Sequence, residues 1–159
     1  MIKTALGLTL TAVMLSAWFP NLSFGGSSSD EKYEHKDNSF VRDAKKEVVV
    51  DTKGSKMYYD STPSNKMHFY AAWEHCQKMS HLDHNDWRVP SKDELRSLLE
   101  LSRRSVTVKH AFKNVQEERY WSSTEERYGK SWYFDFDLGR YSTERNSRMY
   151  RSICVRDSK

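Results

Sequence analysis

The chain has 159 residues, 30% of them charged and 37% hydrophobic, with a formal net charge of +4 and two cysteines. That length holds one domain with one core. The charge is uneven, since residues 30–100 carry 12 Lys+Arg against 14 Asp+Glu, net −2, and residues 101–159 carry 13 against 8, net +5, an arginine-rich excess that favours anionic partners.

The first residues read as an export signal. Lys3 supplies the positive end, residues 5–19 form an apolar run without charge, and Ser23-Phe24-Gly25 offers small residues for cleavage, so residues 1–25 are a signal peptide. The run is short for a membrane span, with a retained anchor as the other reading, and no cysteine follows it to carry a lipid. Residues 26–39 are serine-rich and charged, a flexible polar spacer. The protein is therefore expected outside the cytoplasm, in the periplasm, secreted or at the cell surface. An exported protein rarely meets nucleic acid as its designed partner, which turns the basic half toward acidic or sulfated glycans, envelope or surface proteins, or solubility alone.

A domain over residues 40–157 follows. Phe40-Val41-Arg42 opens it, and Val48-Val49-Val50 has the β-branched content of a strand. Asp51-Thr52-Lys53-Gly54 then turns the chain into Met57-Tyr58-Tyr59, a hairpin. Phe69, Ala72, Trp73, Cys76 and Met79 recur at three- and four-residue steps, the apolar stripe of a first helix.

The stretch Asp86-Trp87-Arg88-Val89-Pro90-Ser91-Lys92-Asp93-Glu94-Leu95 organises the middle of the chain. Trp87 is a large core-type aromatic, and Pro90 keeps Val89 extended. Ser91 and Glu94 have the spacing of a capping box. Leu95, Leu98, Leu99 and Leu101 form the buried face of a second helix, with Arg103 and Arg104 at its negative pole. Residues 105–118 read as a long loop with a turn of helix over 111–115. Trp132, Phe134, Phe136 and Leu138 then alternate with Tyr133, Asp135 and Asp137, a strand with one buried face. Gly139 turns the chain toward a strand near Tyr141, and residues 150–156, with Cys154, alternate again. In an oxidising compartment Cys76 and Cys154 most often bridge; two free thiols, one of them a nucleophile, are the alternative.

Taken together, these pieces resemble the Lcl C-terminal domain family of bacterial extracytoplasmic domains. The resemblance rests on Val50-Asp51-Thr52-Lys53, on Ala72 and Cys76, on Asp86-Trp87-Arg88-Val89-Pro90 with Glu94-Leu95 and Leu98, and on Tyr120-Trp121-Ser122-Ser123-Thr124. It continues through Trp132-Tyr133, Asp135-Phe136, Gly139-Arg140 and Cys154-Val155-Arg156. The family is similar in layout to C-type lectin-like domains and the formylglycine-generating-enzyme fold. The resemblance implies an α+β domain, two helices flanking small twisted antiparallel sheets, with a disulfide from a first-helix cysteine to the last strand. Phe69, Met57-Tyr58-Tyr59 and Ile153 depart from the family pattern and weaken any ligand site borrowed from it.

The candidate chemistry is thin. His81-Leu82-Asp83-His84 with Asp86 could ligate a metal, but solvated loops of exported proteins hold the same residues. Calcium-dependent sugar binding in C-type lectins needs Glu-Pro-Asn or Gln-Pro-Asp and Trp-Asn-Asp, which are missing here. Trp121, within Tyr120-Trp121-Ser122-Ser123-Thr124, and Tyr133 could present an aromatic shelf to a sugar or peptide, whereas packing would place Trp87, Trp121 and Trp132 in the core. Arg127, Lys130, Arg140, Arg145, Arg148 and Arg151 could form one fork-rich face for sulfate or carboxylate, or a solvated surface interleaved with Glu125, Glu126 and Glu144. No Ser-His-Asp order, Gly-rich phosphate loop or zinc helix is present. The expectation is a non-enzymatic binding module without a cofactor, for an anionic glycan or surface ligand. An accessory subunit of an envelope assembly is the alternative, and a cysteine-dependent redox enzyme comes third.

Overall fold

The computed structural model describes residues 38–103 and 107–159. The expected signal segment, residues 1–25, and residues 26–37 of the expected spacer lie outside the described residues, as do Arg104, Ser105 and Val106. The rest is α+β, with two antiparallel sheets and two helices.

Strands β1 (Phe40–Asp43), β2 (Val48–Asp51) and β3 (Lys56–Tyr59) form a meander, and the final strand β7 (Val155–Asp157) returns to pair antiparallel with β3. Asp51 builds the β2–β3 turn. Its Oδ1 accepts the amides of Lys53 at 3.0 Å and Gly54 at 2.9 Å, and a Cβ on Gly54 would collide with that carboxylate. Ser39, the last spacer residue, is buried, and its carbonyl accepts the Thr52 amide at 2.9 Å.

Successive strand residues point to opposite faces, and in this sheet both faces are covered. Val49, Tyr58 and Val155 enter one core cluster with Leu95, Leu98, Phe112 and Phe134. Their neighbours Val48 and Cys154 enter a second cluster with Phe69, Ala72, Cys76, Trp87 and Trp121. The sheet is thus a middle layer, which is why Val48-Val49-Val50 shows no polar alternation.

The second sheet is the meander β4 (Arg119–Glu126), β5 (Lys130–Asp135) and β6 (Arg140–Arg145). Gly139 joins β5 to β6 at φ +62°, a left-handed backbone that glycine adopts without strain, and a Cβ there would stand 2.7 Å from the exposed Leu101 side chain, which would have to move. The expected strand through Leu138 ends at Asp135. Leu138 sits in the turn and is exposed, and Ser131 and Asp135 are buried on the face opposite Phe134. Both faces of β5 are therefore partly covered.

Helix α1 (Phe69–Gln77) buries Phe69, Ala72 and Cys76. Trp73, expected on the same stripe, is 38% exposed; a nine-residue helix docked along one line leaves its i+4 aromatic at the margin. Helix α2 (Lys92–Ser97) is shorter than the leucine spacing suggested. The chain leaves the helix at Leu98 and pairs with the following loop: Lys109 donates to the Leu98 carbonyl at 2.8 Å and Glu100 to Thr107 at 2.9 Å. Leu101 is consequently exposed, and Arg103 donates to the Val108 carbonyl at 2.7 Å rather than capping a helix end. Residues 107–118 hold no helix but send Val108 and Phe112 into the core. Of the closing segment only residues 155–157 are a strand; Tyr150 and Arg151 make single bridges to Met67 and Tyr120.

Cys76 and Cys154 are bonded, Cα to Cα 5.4 Å, across 78 residues of chain, and neither thiol is free. The bond ties α1 to the residue before β7. Loop-closure entropy assigns such a bond about 4 kcal/mol. No described helix is long and apolar enough to cross a membrane.

Candidate functional site

The Asp86–Leu95 stretch is a structural knot. Its Ser91 Oγ accepts the Glu94 amide at 3.2 Å, and Glu94 Oε2 accepts the Ser91 amide at 2.7 Å, a complete capping box. Arg88 grips both Glu94 oxygens at 2.7 and 2.6 Å. Burial opposes ionisation of Glu94, but the Arg88 fork and the Ser91 amide outweigh it and hold its pKa below the ordinary value. The Pro90 carbonyl accepts the Ser123 amide at 2.7 Å, Arg88 pairs through its backbone with Val155, and Arg156 donates to Asp86 at 2.7 and 3.2 Å. Trp87 is fully buried between these links. Trp132 is half-buried, with the Lys92 ammonium 3.4 Å from its ring centre. The stretch joins both sheets, and most of its side chains are engaged in doing so.

The sequence-predicted ligand residues separate. Trp121 is fully buried, donates Nε1–H to the Met67 carbonyl at 3.0 Å and packs on Phe69 and Tyr150; an indole with no exposed surface offers no shelf, so it belongs to the core. Arg151 points inward, to the Ser64 carbonyl and toward Glu118 at 3.7 Å, and is structural as well. Arg127, Lys130, Arg145 and Arg148 gather at the β4–β5 turn end of the second sheet, where Lys130 lies opposite both Glu126 and Arg145. Arg140 sits at the other end of β6, opposite Asp135 and about 17 Å away along the strand. The four gathered cations share their end with Glu125, Glu126 and Glu144, so the six do not form one basic face. In the His81–His84 loop, His81 Nε2 is engaged with the Lys46 carbonyl at 2.7 Å, and no three His, Cys, Asp or Glu converge among the described residues.

Two concavities stand out. One, of about 380 Å³, lies between the 59–65 loop, His75 and Asn114 and reaches Cys154. It has no lysine or arginine, and its carboxylate, Asp60, already holds Arg42 and the amides of Lys113 and Asn114. The other is an open cleft of about 450 Å³ between His68, Arg119 and the 147–150 segment, with Glu144 also in its lining.

Arg119 gives this second cleft its character. Its guanidinium lies 5.3 and 5.7 Å from the rings of Tyr133 and Tyr150. Its Nε donates to Asp135 at 3.0 Å and its Nη1 to Tyr150 Oη at 3.4 Å. These bonds, the tyrosine first and the aspartate second, raise its pKa still further and fix its orientation. Its side chain stays 43% exposed, and Nη2 has no hydrogen-bond partner among the described residues. The cleft thus offers two arginines against one glutamate, with one guanidinium already ordered. A planar fork held in place suits a carboxylate or sulfate.

Of the predicted residues only Arg148 lines the cleft; Tyr133 touches it through Arg119 alone. Arg119, His68, Glu144 and Tyr150 were missed. His68 reaches the site because Met67 and Tyr150 exchange backbone hydrogen bonds at 2.8 and 3.0 Å, a pairing across 83 residues that no local pattern announces. Arg119 had one signal, since it shares strand parity with Trp121 and so lies on the same face of β4.

A family model for the Lcl C-terminal domain matches residues 39–156. Among curated proteins, no match to the chain was found.

Proposed function

Because the chain belongs to the Lcl C-terminal domain family, we propose that it is an exported, non-enzymatic binding module on a C-type lectin-like scaffold, and that it recognises an anionic glycan. The single observation that supports this reading is the cleft holding Arg119 and Arg148. An ordered guanidinium with a free edge can take a carboxylate or sulfate. Export is supported by the apolar N-terminal run and by the Cys76–Cys154 bond, which belongs to an oxidising compartment. A thiol-dependent enzyme would need a free cysteine, and both are joined.

The test is titration calorimetry with polygalacturonate and dextran sulfate as probes and neutral dextran as control. Binding of a charged polymer that weakens steeply between low and high salt, and is lost in Arg148→Glu, supports the reading. Equal binding of the neutral polymer, or no effect of Arg148→Glu, removes it. An accessory role in an envelope assembly has its own support: Tyr70 and Trp73, one helical turn apart on α1, are 60% and 38% exposed. Contact through those rings would change little with salt.

A further inference from the structure

The second sheet has one closed edge and one open edge. At β4 the outward groups are engaged: Trp121 donates to the Arg151 carbonyl and Arg151 to the Arg119 carbonyl, each at 2.9 Å, and Ser123 donates to Pro90 at 2.7 Å. At β6 the alternation of an antiparallel ladder decides which groups face out. Asn146 donates inward to the Gly129 carbonyl at 2.9 Å, in register with the β5–β6 pairing. On the far side of β5, Phe136 donates to Glu118 at 3.0 Å, which fixes the same parity independently. Arg140, Ser142 and Glu144 therefore face β5 with their backbone groups, while Tyr141, Thr143 and Arg145 face away. Arg145 is already engaged, its amide by Glu144 Oε1 and its carbonyl by the Arg148 amide, both at 2.9 Å. The amides and carbonyls of Tyr141 and Thr143 have no hydrogen-bond partner among the described residues.

We propose that β6 pairs antiparallel with β6 of a second copy about a two-fold axis at Ser142, joining two three-stranded sheets into one of six. The register follows from the free groups. With Ser142 opposite itself, Tyr141 faces Thr143 of the second copy and Thr143 faces its Tyr141, so every free amide and carbonyl is used. A one-residue slip sets outward groups against inward ones and makes no ladder. A two-residue slip sets Tyr141 against Arg145, whose groups are engaged, or Thr143 against Gly139 in the turn. The same register brings Arg140 opposite Glu144 of the second copy, twice by symmetry. These are positions without backbone hydrogen bonds, where opposed side chains come closest. Opposite charges there favour pairing. Strand β1 is also an edge, but it is four residues long and opposes no complementary charges when paired with itself. Side chains of Arg140 and Glu144 share the sheet face of Arg119, so the dimer carries both clefts on one side.

One strand pair buries less than a standard interface, so the dimer is weak and concentration-dependent. Sedimentation equilibrium of the full protein, purified as its cell releases it, is run from about 1 µM to about 1 mM. The expected result is a monomer–dimer equilibrium. Thr143→Pro removes an outward amide without touching the β5 ladder and abolishes dimer while the thermal midpoint holds. Arg140→Glu sets two glutamates against each other and weakens the dimer roughly tenfold; the exchange Arg140→Glu with Glu144→Arg restores it. A monomer throughout, a dimer that survives both single changes, or an exchange that fails to restore association overturns the proposal.

Discussion

The two sheets are built from similar lengths of strand but face different demands. The four-stranded sheet lies between two core clusters, so apolar residues of both parities are buried in it. The three-stranded sheet packs through β4 and β5 and leaves no residue of β6 fully buried. The cleft, the gathered cations and the open edge all belong to this second sheet. Packing constrains the first sheet, and the sequence there reads as fold. Little constrains β6, and sequence there is free to carry recognition.

Removing the staple of the first sheet should have the largest effect. Replacing Cys76 and Cys154 together by alanine is expected to lower stability by about 4 kcal/mol in urea denaturation; an unchanged midpoint would mean the bond constrains nothing. The contrast between the sheets sharpens with a matched pair. Val49→Ala, fully buried in β2, should cost about 2 kcal/mol, and Ser142→Ala, exposed in β6, should stay within about 0.5 kcal/mol. Similar losses at both positions would erase the distinction. Smaller still, Ser91→Ala removes half of the capping box and should cost about 1 kcal/mol, with Ser91→Thr recovering most of it.

Acid should act on the first sheet's attachments. The bond from Arg156 holds Asp86 below its ordinary 3.8, Lys56 does the same for Asp157, and the Arg88 fork overcomes burial to hold Glu94 below 4.5. Folded-state values that are depressed confer stability above the unfolded values, and that stability is lost as pH falls through the folded ones. Stability should therefore be level above about pH 5 and decline below it. A pH series of thermal melts reads this directly, and a midpoint that holds steady down to about pH 2 contradicts it.

Much of the fold was legible because its causes are local. Asp51-Thr52-Lys53-Gly54 writes its turn in one carboxylate and one glycine, Ser91 and Glu94 write a helix start, and the stripe through Phe69, Ala72 and Cys76 writes a buried helix face. Where the readings failed, a turn or a pairing that periodicity does not announce intervened. The leucine run was cut short because residues 107–109 pair with 98–100, and the strand through Leu138 stopped because Asp135 turns back to accept the Leu138 amide at 3.1 Å.

By itself the sequence determined the α+β class, the β2–β3 turn and the helix start at Ser91, because periodicity, turn chemistry and capping act within a few residues. The Cys76–Cys154 bond it left open against two free thiols, and Trp73, Leu101 and Leu138, expected in buried faces, are exposed. Only the tertiary structure decided which arginines are available. Arg151 is drawn inward by Ser64, Arg140 is set apart at the far end of its strand, and Arg119 is ordered by a tyrosine and an aspartate from two other segments. A guanidinium on a long flexible stem takes its role from whatever it meets in space, and strand pairing across more than eighty residues sets what it meets.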